Sequence, residues 1–138
     1  TLSVIQSPKT CIKYHTKEAS PKNFIFESLP QFKLLNVSES LCVAVKIGKT
    51  DRGDEELIKL FETIPMAIPA CDQETDGYFR CRVWLKQAIR ALNNAGIISC
   101  PDADVVVNGE LRKFAEANYD SITLGTGSAQ VYISQNSG

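Results

Sequence analysis

Three short runs of apolar and polar residues in the first third of the chain, at residues 2–6, 11–15 and 23–29, are separated by turn-forming residues. Runs of this length that include β-branched and aromatic residues are typical of strands, and the prolines between the runs favour turns. The pattern therefore predicts three short strands that are joined by tight connections.

A longer apolar run at residues 41–47 is rich in β-branched side chains and ends at Gly48. Continuous apolar runs of this kind are typical of strands that are covered on both faces. We therefore expect a central strand here, within a small and largely antiparallel sheet.

A helical period replaces the strand pattern after residue 50. Asp54 is a candidate N-terminal cap for a helix that ends before Pro65, because a short acidic side chain can accept hydrogen bonds from the free N–H groups of a first turn. The longest amphipathic segment covers residues 78–94, and Gly96 after it is a residue typical of helix ends. A third helix is expected at residues 105–117. The predicted inward stripe of the longest helix consists of Cys81, Trp84, Leu85, Ala88, Ala91 and Leu92.

The remaining segments carry weaker signals. Residues 65–78 contain two prolines and an acidic run, which indicate a solvated loop. The end of the chain has strand candidates at 121–124 and 129–134, on either side of a flexible Gly-Thr-Gly-Ser turn at 125–128. Early strands and late helices predict one α+β domain over residues 1–138. In this domain a small, mostly antiparallel sheet from the N-terminal half packs against three helices from the C-terminal half.

The composition is that of a folded domain. The chain has 138 residues, 43% of them hydrophobic and 22% charged, with a net charge of −1, and these values exclude a disordered chain. All apolar runs are shorter than the roughly 18 residues of a membrane span, so no spanning segment is expected. The lysines of the first third lie in a segment without arginine and without a recognised nucleic-acid motif, so we do not expect a nucleic-acid partner. These lysines are Lys9, Lys13, Lys17, Lys22 and Lys33.

Five cysteines, an odd number, lack the close paired spacing of a structural zinc site. A chain of this length does not need disulfides to fold, which favours reduced, mostly buried thiols in a cytoplasmic protein. Secretion with two disulfides is the alternative, and Asn36 in its Asn-Val-Ser triplet would then be a glycosylation acceptor. The turn at 125–128 does not match a phosphate loop, and Asp72, Glu74 and Asp76 do not match a calcium loop, so no cofactor or metal is expected.

Cys81 gives the strongest indication of chemistry. It opens the longest predicted helix, where free N–H groups and the positive end of the helix dipole favour a thiolate. Arg80 and Arg82 would favour the thiolate further if they lie close to the sulfur. The alternative is that Cys81 is a small buried residue of the same apolar stripe as Trp84, and spacing alone favours this alternative.

The only histidine of the chain, His15, is the one imidazole base that a thiol nucleophile could use. Alternation in the second strand directs Ile12 and Tyr14 toward the core and His15 toward the other, polar face. Glu27 on the next strand is a candidate to orient the imidazole if that face lines a cleft, and otherwise both are simply outward polar residues. The candidate catalytic set, if the chain is active, is therefore Cys81, His15 and Glu27.

Taken in order, several short segments resemble a family of small, uncharacterised fungal proteins. They are Ile-Lys-Tyr-His at 12–15, Phe-Ile-Phe-Glu at 24–27, Val-Ala-Val-Lys-Ile-Gly-Lys at 43–49, the helix end at 60–65, and Arg-Cys-Arg-Val-Trp-Leu at 80–85 with Ala88 and Leu92 after it. The segments span most of residues 2–117, and their order and spacing carry the resemblance.

That family is distantly similar to permuted papain-like thiol enzymes of the lecithin-retinol acyltransferase kind. The resemblance implies a permuted papain-like fold with Cys81 at the position of the nucleophile and His15 at that of a second histidine. Those enzymes take their base from a histidine on the first strand. In this sequence the matching position is Thr1 or precedes it, and no histidine is present there. The resemblance therefore implies a scaffold on which catalysis has been lost.

The sequence leaves three function hypotheses open. The first is a non-catalytic binding or effector-type protein on a degenerate papain-like scaffold, with a protein or a small molecule as partner. The second is an active thiol acyltransferase or amide hydrolase. In it, Cys81 is the nucleophile, His15 the base, Glu27 its orienter and backbone N–H groups near Arg82 the oxyanion donors. The third is a fungal defence or toxin-like protein that acts on another organism, a role that no particular residue specifies.

Overall fold

The computed structural model describes residues 1–31, 43–123 and 130–137. Its strands are β1 (Leu2–Ser7), β2 (Thr10–Ser20), β3 (Asn23–Gln31), β4 (Val43–Lys46) and β5 (Gln130–Ile133), and its helices are α1 (Asp54–Glu62), α2 (Cys81–Asn94) and α3 (Arg112–Thr123). A 3₁₀ turn at Ala70–Asp72 precedes α2, and a π-helical segment at Val105–Leu111 leads into α3. Within the described residues, three antiparallel N-terminal strands followed by three α-helices confirm the predicted α+β class.

The three N-terminal strands form one antiparallel sheet in the order β1-β2-β3. Its register pairs Leu2 with Tyr14 and His15 with Glu27. Residues that are paired across strands share a face, and neighbours along a strand lie on opposite faces. Tyr14 is fully buried in the core, so it marks the inner face of the sheet, while His15 and Glu27 belong to the outer face. The predicted inward direction of Tyr14 is confirmed.

The β4 strand does not join this sheet. It pairs in parallel with β5, and Ala44 lies opposite Val131 while Lys46 lies opposite Ile133. The expectation of a central strand in the antiparallel sheet was therefore wrong. An apolar, β-branched composition predicts that a segment is a strand, but it does not specify the partner of that strand.

Aromatic side chains pack α1 and α2 on the inner face of the sheet. Trp84 of α2 stacks on Phe26 of β3 with ring centroids 5.7 Å apart, and Phe61 of α1 lies edge-on to Trp84 at 5.7 Å. Tyr14 lies 5.1 Å from Phe61. Each aromatic pair in such a geometry adds roughly 0.5–1.5 kcal/mol to the free energy gained from buried area. The cluster thus holds both helices against the same face of the sheet.

Local signals define the ends of α1 and α2. The N-cap of α1 is Gly53 rather than Asp54, and the Asp54 carboxylate instead accepts a hydrogen bond from the Tyr14 hydroxyl at 2.7 Å. The stop signal at Gly96 is confirmed, since its φ of +71° is a left-handed conformation that glycine adopts without strain. The N–H of Ile97 then donates to a carbonyl of the last turn of α2 at 2.9 Å, which completes a Schellman cap.

The last helix is longer than the sequence predicts. It begins with the π-helical segment and continues through α3 to Thr123, so the predicted strand at 121–124 is helical over residues 121–123. Helical hydrogen bonding across this stretch overrides the β-branched residues on which the strand prediction rested. The later predicted strand, at 129–134, is confirmed as β5.

Several expected features lie outside the described residues. They are Leu124, the Gly-Thr-Gly-Ser turn at 125–128, Cys42 and the glycosylation triplet that begins at Asn36. In the part of the chain that the structure does describe, no helix combines the length and the apolar character needed to cross a membrane.

Candidate functional site

Cys81 is the first residue of α2, and its side chain is exposed. The helix start is where the sequence predicts it, but the prediction that Cys81 belongs to the buried stripe was wrong. The stripe is buried only from Val83 and Trp84 onward, since the first turn of α2 remains open to solvent. Among the described residues, the N–H groups of Cys81 and Arg82 have no hydrogen-bond acceptor, whereas that of Val83 donates to the carbonyl of Arg80 at 2.9 Å.

The two arginines that flank Cys81 are both engaged in other contacts. The guanidinium of Arg82 donates to Asp76 at 2.6 Å, and that of Arg80 lies 3.9 Å from the centre of the Tyr78 ring. A guanidinium favours a thiolate only when its charge lies close to the sulfur. Arg82 thus binds Asp76 of the acidic loop and Arg80 packs on Tyr78, and these contacts give no support to the expected stabilisation of a Cys81 thiolate.

His15 lies in the middle of β2, and its side chain is 17% exposed. Its Nε2 lies 2.8 Å from Oε1 of Glu27, the residue directly opposite on β3. The other oxygen of Glu27 pairs with the Lys17 ammonium at 2.5 Å. The hydrogen bond from Lys17 has the largest effect on the pKa of Glu27. Together with the bond from His15, it lowers that pKa against the opposing effect of burial.

The structure brings His15 and Glu27 together, and among the described residues no hydrogen bond joins either of them to Cys81. Both partners of the His15–Glu27 pair belong to the outer face of the sheet, whereas α2, which begins at Cys81, packs on the inner face through Trp84. A general base must approach the proton that it removes to about 3 Å, directly or through one water. Among the described residues, His15 donates or accepts no side-chain hydrogen bond other than the one with Glu27.

A second group of charges lies on the side of α2 that faces away from Trp84. Three cations at intervals of four residues meet three carboxylates from the preceding and following segments. We call this group the α2 ion cluster, and it consists of Arg82, Lys86, Arg90, Asp72, Asp76 and Asp104. Lys86 is fully buried, and its ammonium lies 2.9 Å from Asp72, 2.7 Å from Asp76 and 3.0 Å from Asp104. All three N–H donors of the ammonium therefore have a carboxylate partner.

Mutual attraction keeps the members of the α2 ion cluster charged. Burial by itself would lower the pKa of Lys86, but hydrogen bonds to the carboxylates outweigh burial and raise that pKa. Burial by itself would raise the pKa of Asp76, but the bonds from Lys86 and Arg82 reverse the effect. Two bonds from Arg90, at 2.7 and 2.8 Å, are the main reason why the pKa of Asp72 lies below its usual range. Lys86 is thus a structural cation and not a neutral nucleophile.

Sequence reasoning missed the α2 ion cluster and assigned its acidic half to a solvated loop. Asp72 and Asp76 are instead almost completely buried. A signal was present in the chain, because two acids four residues apart precede a helix whose cations repeat at the same interval, opposite its apolar stripe. The cluster ties the 3₁₀ turn and the beginning of the π-helical segment to α2.

The other described cysteines divide into buried and exposed thiols. Cys11 and Cys100 are buried, which raises the pKa of both thiols, while Cys71 is exposed like Cys81. All four described cysteines are free, so the expectation of mostly buried thiols holds for two of them. No three histidine, cysteine or carboxylate side chains in the described ranges are arranged to hold a metal ion.

Comparisons of the chain with models of known protein families, with curated proteins and with solved structures gave no match. The resemblance to the fungal family and to papain-like thiol enzymes therefore stays a prediction from the sequence. The residues and their geometry alone support any statement about function.

Proposed function

We propose that this chain is a non-catalytic binding protein on an α+β scaffold that resembles the permuted papain-like thiol enzymes. The observation that carries the proposal is the position of the only imidazole. His15 is held by Glu27 at 2.8 Å, and among the described residues no hydrogen bond joins it to Cys81. A thiol without a base at hydrogen-bond distance lacks the partner that nucleophilic catalysis requires.

The surroundings of Cys81 support the same proposal. The neighbouring cation Arg82 is paired with Asp76, and Arg80 is stacked on Tyr78. The free N–H groups of the first turn of α2 remain, and they are a feature of helix starts in general. A surface that contains an exposed thiol and no assembled proton relay fits binding better than acyl transfer.

A thiol acyltransferase or amide hydrolase is the second candidate, because the His15–Glu27 hydrogen bond is the base–orienter pair that such chemistry needs. In that reaction the Cys81 sulfur adds to the carbonyl carbon of an ester or amide while His15 takes the thiol proton. His15 returns the proton to the leaving group, and an acceptor or water then cleaves the thioester. The N–H group of Arg82 would face the oxyanion.

Acylation by an activated ester distinguishes the two candidates. The protein and its Cys81→Ala variant are incubated with p-nitrophenyl acetate near neutral pH, nitrophenolate release is followed over many equivalents, and acetylation of Cys81 is read by mass spectrometry. The binding proposal predicts no turnover above that of Cys81→Ala. Repeated turnover that disappears in Cys81→Ala, with a transient acetyl group on Cys81, would overturn it.

A further inference from the structure

A groove opens between the end of β4 and the turn that follows α2. Its volume is about 710 Å³, within the range of roughly 300–1,000 Å³ that is typical of sites for small molecules. One wall comes from Lys46 and Lys49, and the other from Ile97 and Ile98, with Ile133 of β5 at the side. None of these residues takes part in the His15–Glu27 pair or in the α2 ion cluster.

Two glycines shape the walls of this groove. Gly96 allows the Schellman cap that turns the chain sharply after α2 and presents Ile97 and Ile98. Gly48 lies against the opposite wall so closely that a Cβ atom at this position would meet Cγ2 of Ile98 at 2.8 Å. The two walls therefore approach each other closely at Gly48.

The groove presents an apolar surface to solvent. Ile133 is 74% exposed, and Val131 on the same face of β5 is 61% exposed. Ile97 and Ile98 are half-buried beside it. Large aliphatic side chains that cluster in a concave surface and remain exposed are a common feature of binding sites.

The charged side chains that line the groove are, among the described residues, of one sign. Lys46 and Lys49 are both exposed, and neither ammonium has an acidic partner in the described part of the chain. Among the described residues, no carboxylate side chain lines the groove. The adjoining recess contains Asp51 and Arg52, and Arg52 is paired with Glu56 at 3.2 Å. Lys17 and Lys86, by contrast, are paired at 2.5–3.0 Å. Two unpaired cations beside an apolar wall complement a ligand that combines a negative charge with an apolar body.

We propose that this groove binds a small organic acid, and the inference rests on the proposed function because it names the partner class and the surface of a binding protein. The carboxylate of the ligand pairs with Lys46 and Lys49. Its apolar body covers Ile97, Ile98 and Ile133. Binding of this kind needs no contribution from Cys81.

Amide NMR spectra of the whole chain test the proposal with three probes. Phenylbutyrate supplies both a charge and an apolar body, phenylbutanol only the apolar body, and acetate only the charge. We expect phenylbutyrate to bind in the low-millimolar range and to shift the amide signals of Gly48, Lys49, Ile97 and Ile98. Phenylbutanol and acetate should bind at least ~10-fold more weakly. Equal binding of phenylbutanol would overturn the proposal, since the lysines would then only balance the negative end of the α2 dipole.

Charge-reversal variants provide the matched control. Lys46→Glu/Lys49→Glu should weaken phenylbutyrate binding ~10-fold or more, while Lys9→Glu/Lys22→Glu, with the same change of net charge, should leave it unchanged. An equal loss in both variants would contradict a specific site. Cys81→Ala should bind phenylbutyrate as the unmodified chain does. A failure to bind at the groove would overturn this inference alone, whereas turnover at Cys81 would overturn the proposed function.

Discussion

Replacing Lys86 by methionine should destabilise the protein more than any other single change of a charged residue on α2. Methionine keeps the length and most of the volume of the side chain, so the variant removes a charge and leaves little cavity. The ammonium that is lost is fully buried and lies 2.7–3.0 Å from Asp72, Asp76 and Asp104. Without it, the three carboxylates face only two guanidinium groups.

The loss of stability in Lys86→Met depends on the ion pairs that Asp72 and Asp76 keep. Removal of one partner of a buried ion pair costs about 3–5 kcal/mol in the free energy of unfolding. Asp72 keeps its two bonds from Arg90, and Asp76 keeps the bond from Arg82. The lower end of the range therefore applies, and we expect a loss of about 3 kcal/mol for Lys86→Met at pH 7.

Urea unfolding measures this loss, and pH supplies an internal check. The pKa values of Asp72 and Asp76 are lowered in the folded protein, so their contribution is present above the unfolded pKa of about 4 and is lost as the pH falls through the folded values. In Lys86→Met the two carboxylates lack the ammonium, so their ionisation stabilises the folded variant less. The difference in the free energy of unfolding between the variant and the unmodified chain should therefore shrink on acidification.

The exposed Lys113→Met variant is the matched control and should change the free energy of unfolding by less than about 0.5 kcal/mol. A loss below about 1 kcal/mol for Lys86→Met, or a difference that stays constant down to pH 3, would refute the reasoning about the α2 ion cluster.

Two further substitutions test the outer parts of the fold. Gly48→Ala should lower the free energy of unfolding in urea by about 1–3 kcal/mol, because its Cβ would meet Ile98 at 2.8 Å. Adding Ile98→Ala should recover part of that loss. Equal stability of Gly48→Ala and the unmodified chain would contradict the close approach. Glu110→Gln should speed amide hydrogen exchange at Gln135 and Asn136. One Glu110 carboxylate oxygen accepts hydrogen bonds from the Gln135 N–H and from the Asn136 side-chain amide, both at 2.8 Å, and a neutral amide oxygen accepts them more weakly. Unchanged exchange at these two residues would show that other contacts hold the segment.

Periodicity predicted the parts of the fold that depend on neighbouring residues. Alternation assigned Tyr14 to the core and His15 to the other face, and a glycine at position 96 marked the end of the longest helix. These features follow from side-chain direction and from backbone conformation, which the local sequence determines.

The features that sequence reasoning missed depend on contacts between distant residues. The pairing of β4 with β5 joins segments more than 80 residues apart along the chain, as the partners Val43 and Gln130 show. The burial of Asp72 depends on Lys86 and Arg90, which face it from α2, because an acidic loop is normally solvated unless cations meet it. The candidate site has the same limit, since spacing along the chain could not show whether His15 forms a hydrogen bond with Cys81.

The dependence of Cys81 reactivity on His15 tests the central claim most directly. The experiment compares the rate of iodoacetamide labelling of Cys81 near neutral pH in the Cys71→Ser background, with His15 and with His15→Gln, and peptide mass spectrometry assigns the label. Both proteins are first shown to be equally folded by circular dichroism. A binding protein without an assembled dyad predicts equal rates within about twofold, whereas a rate that falls about tenfold or more in His15→Gln would show that His15 activates the thiol and would contradict the account.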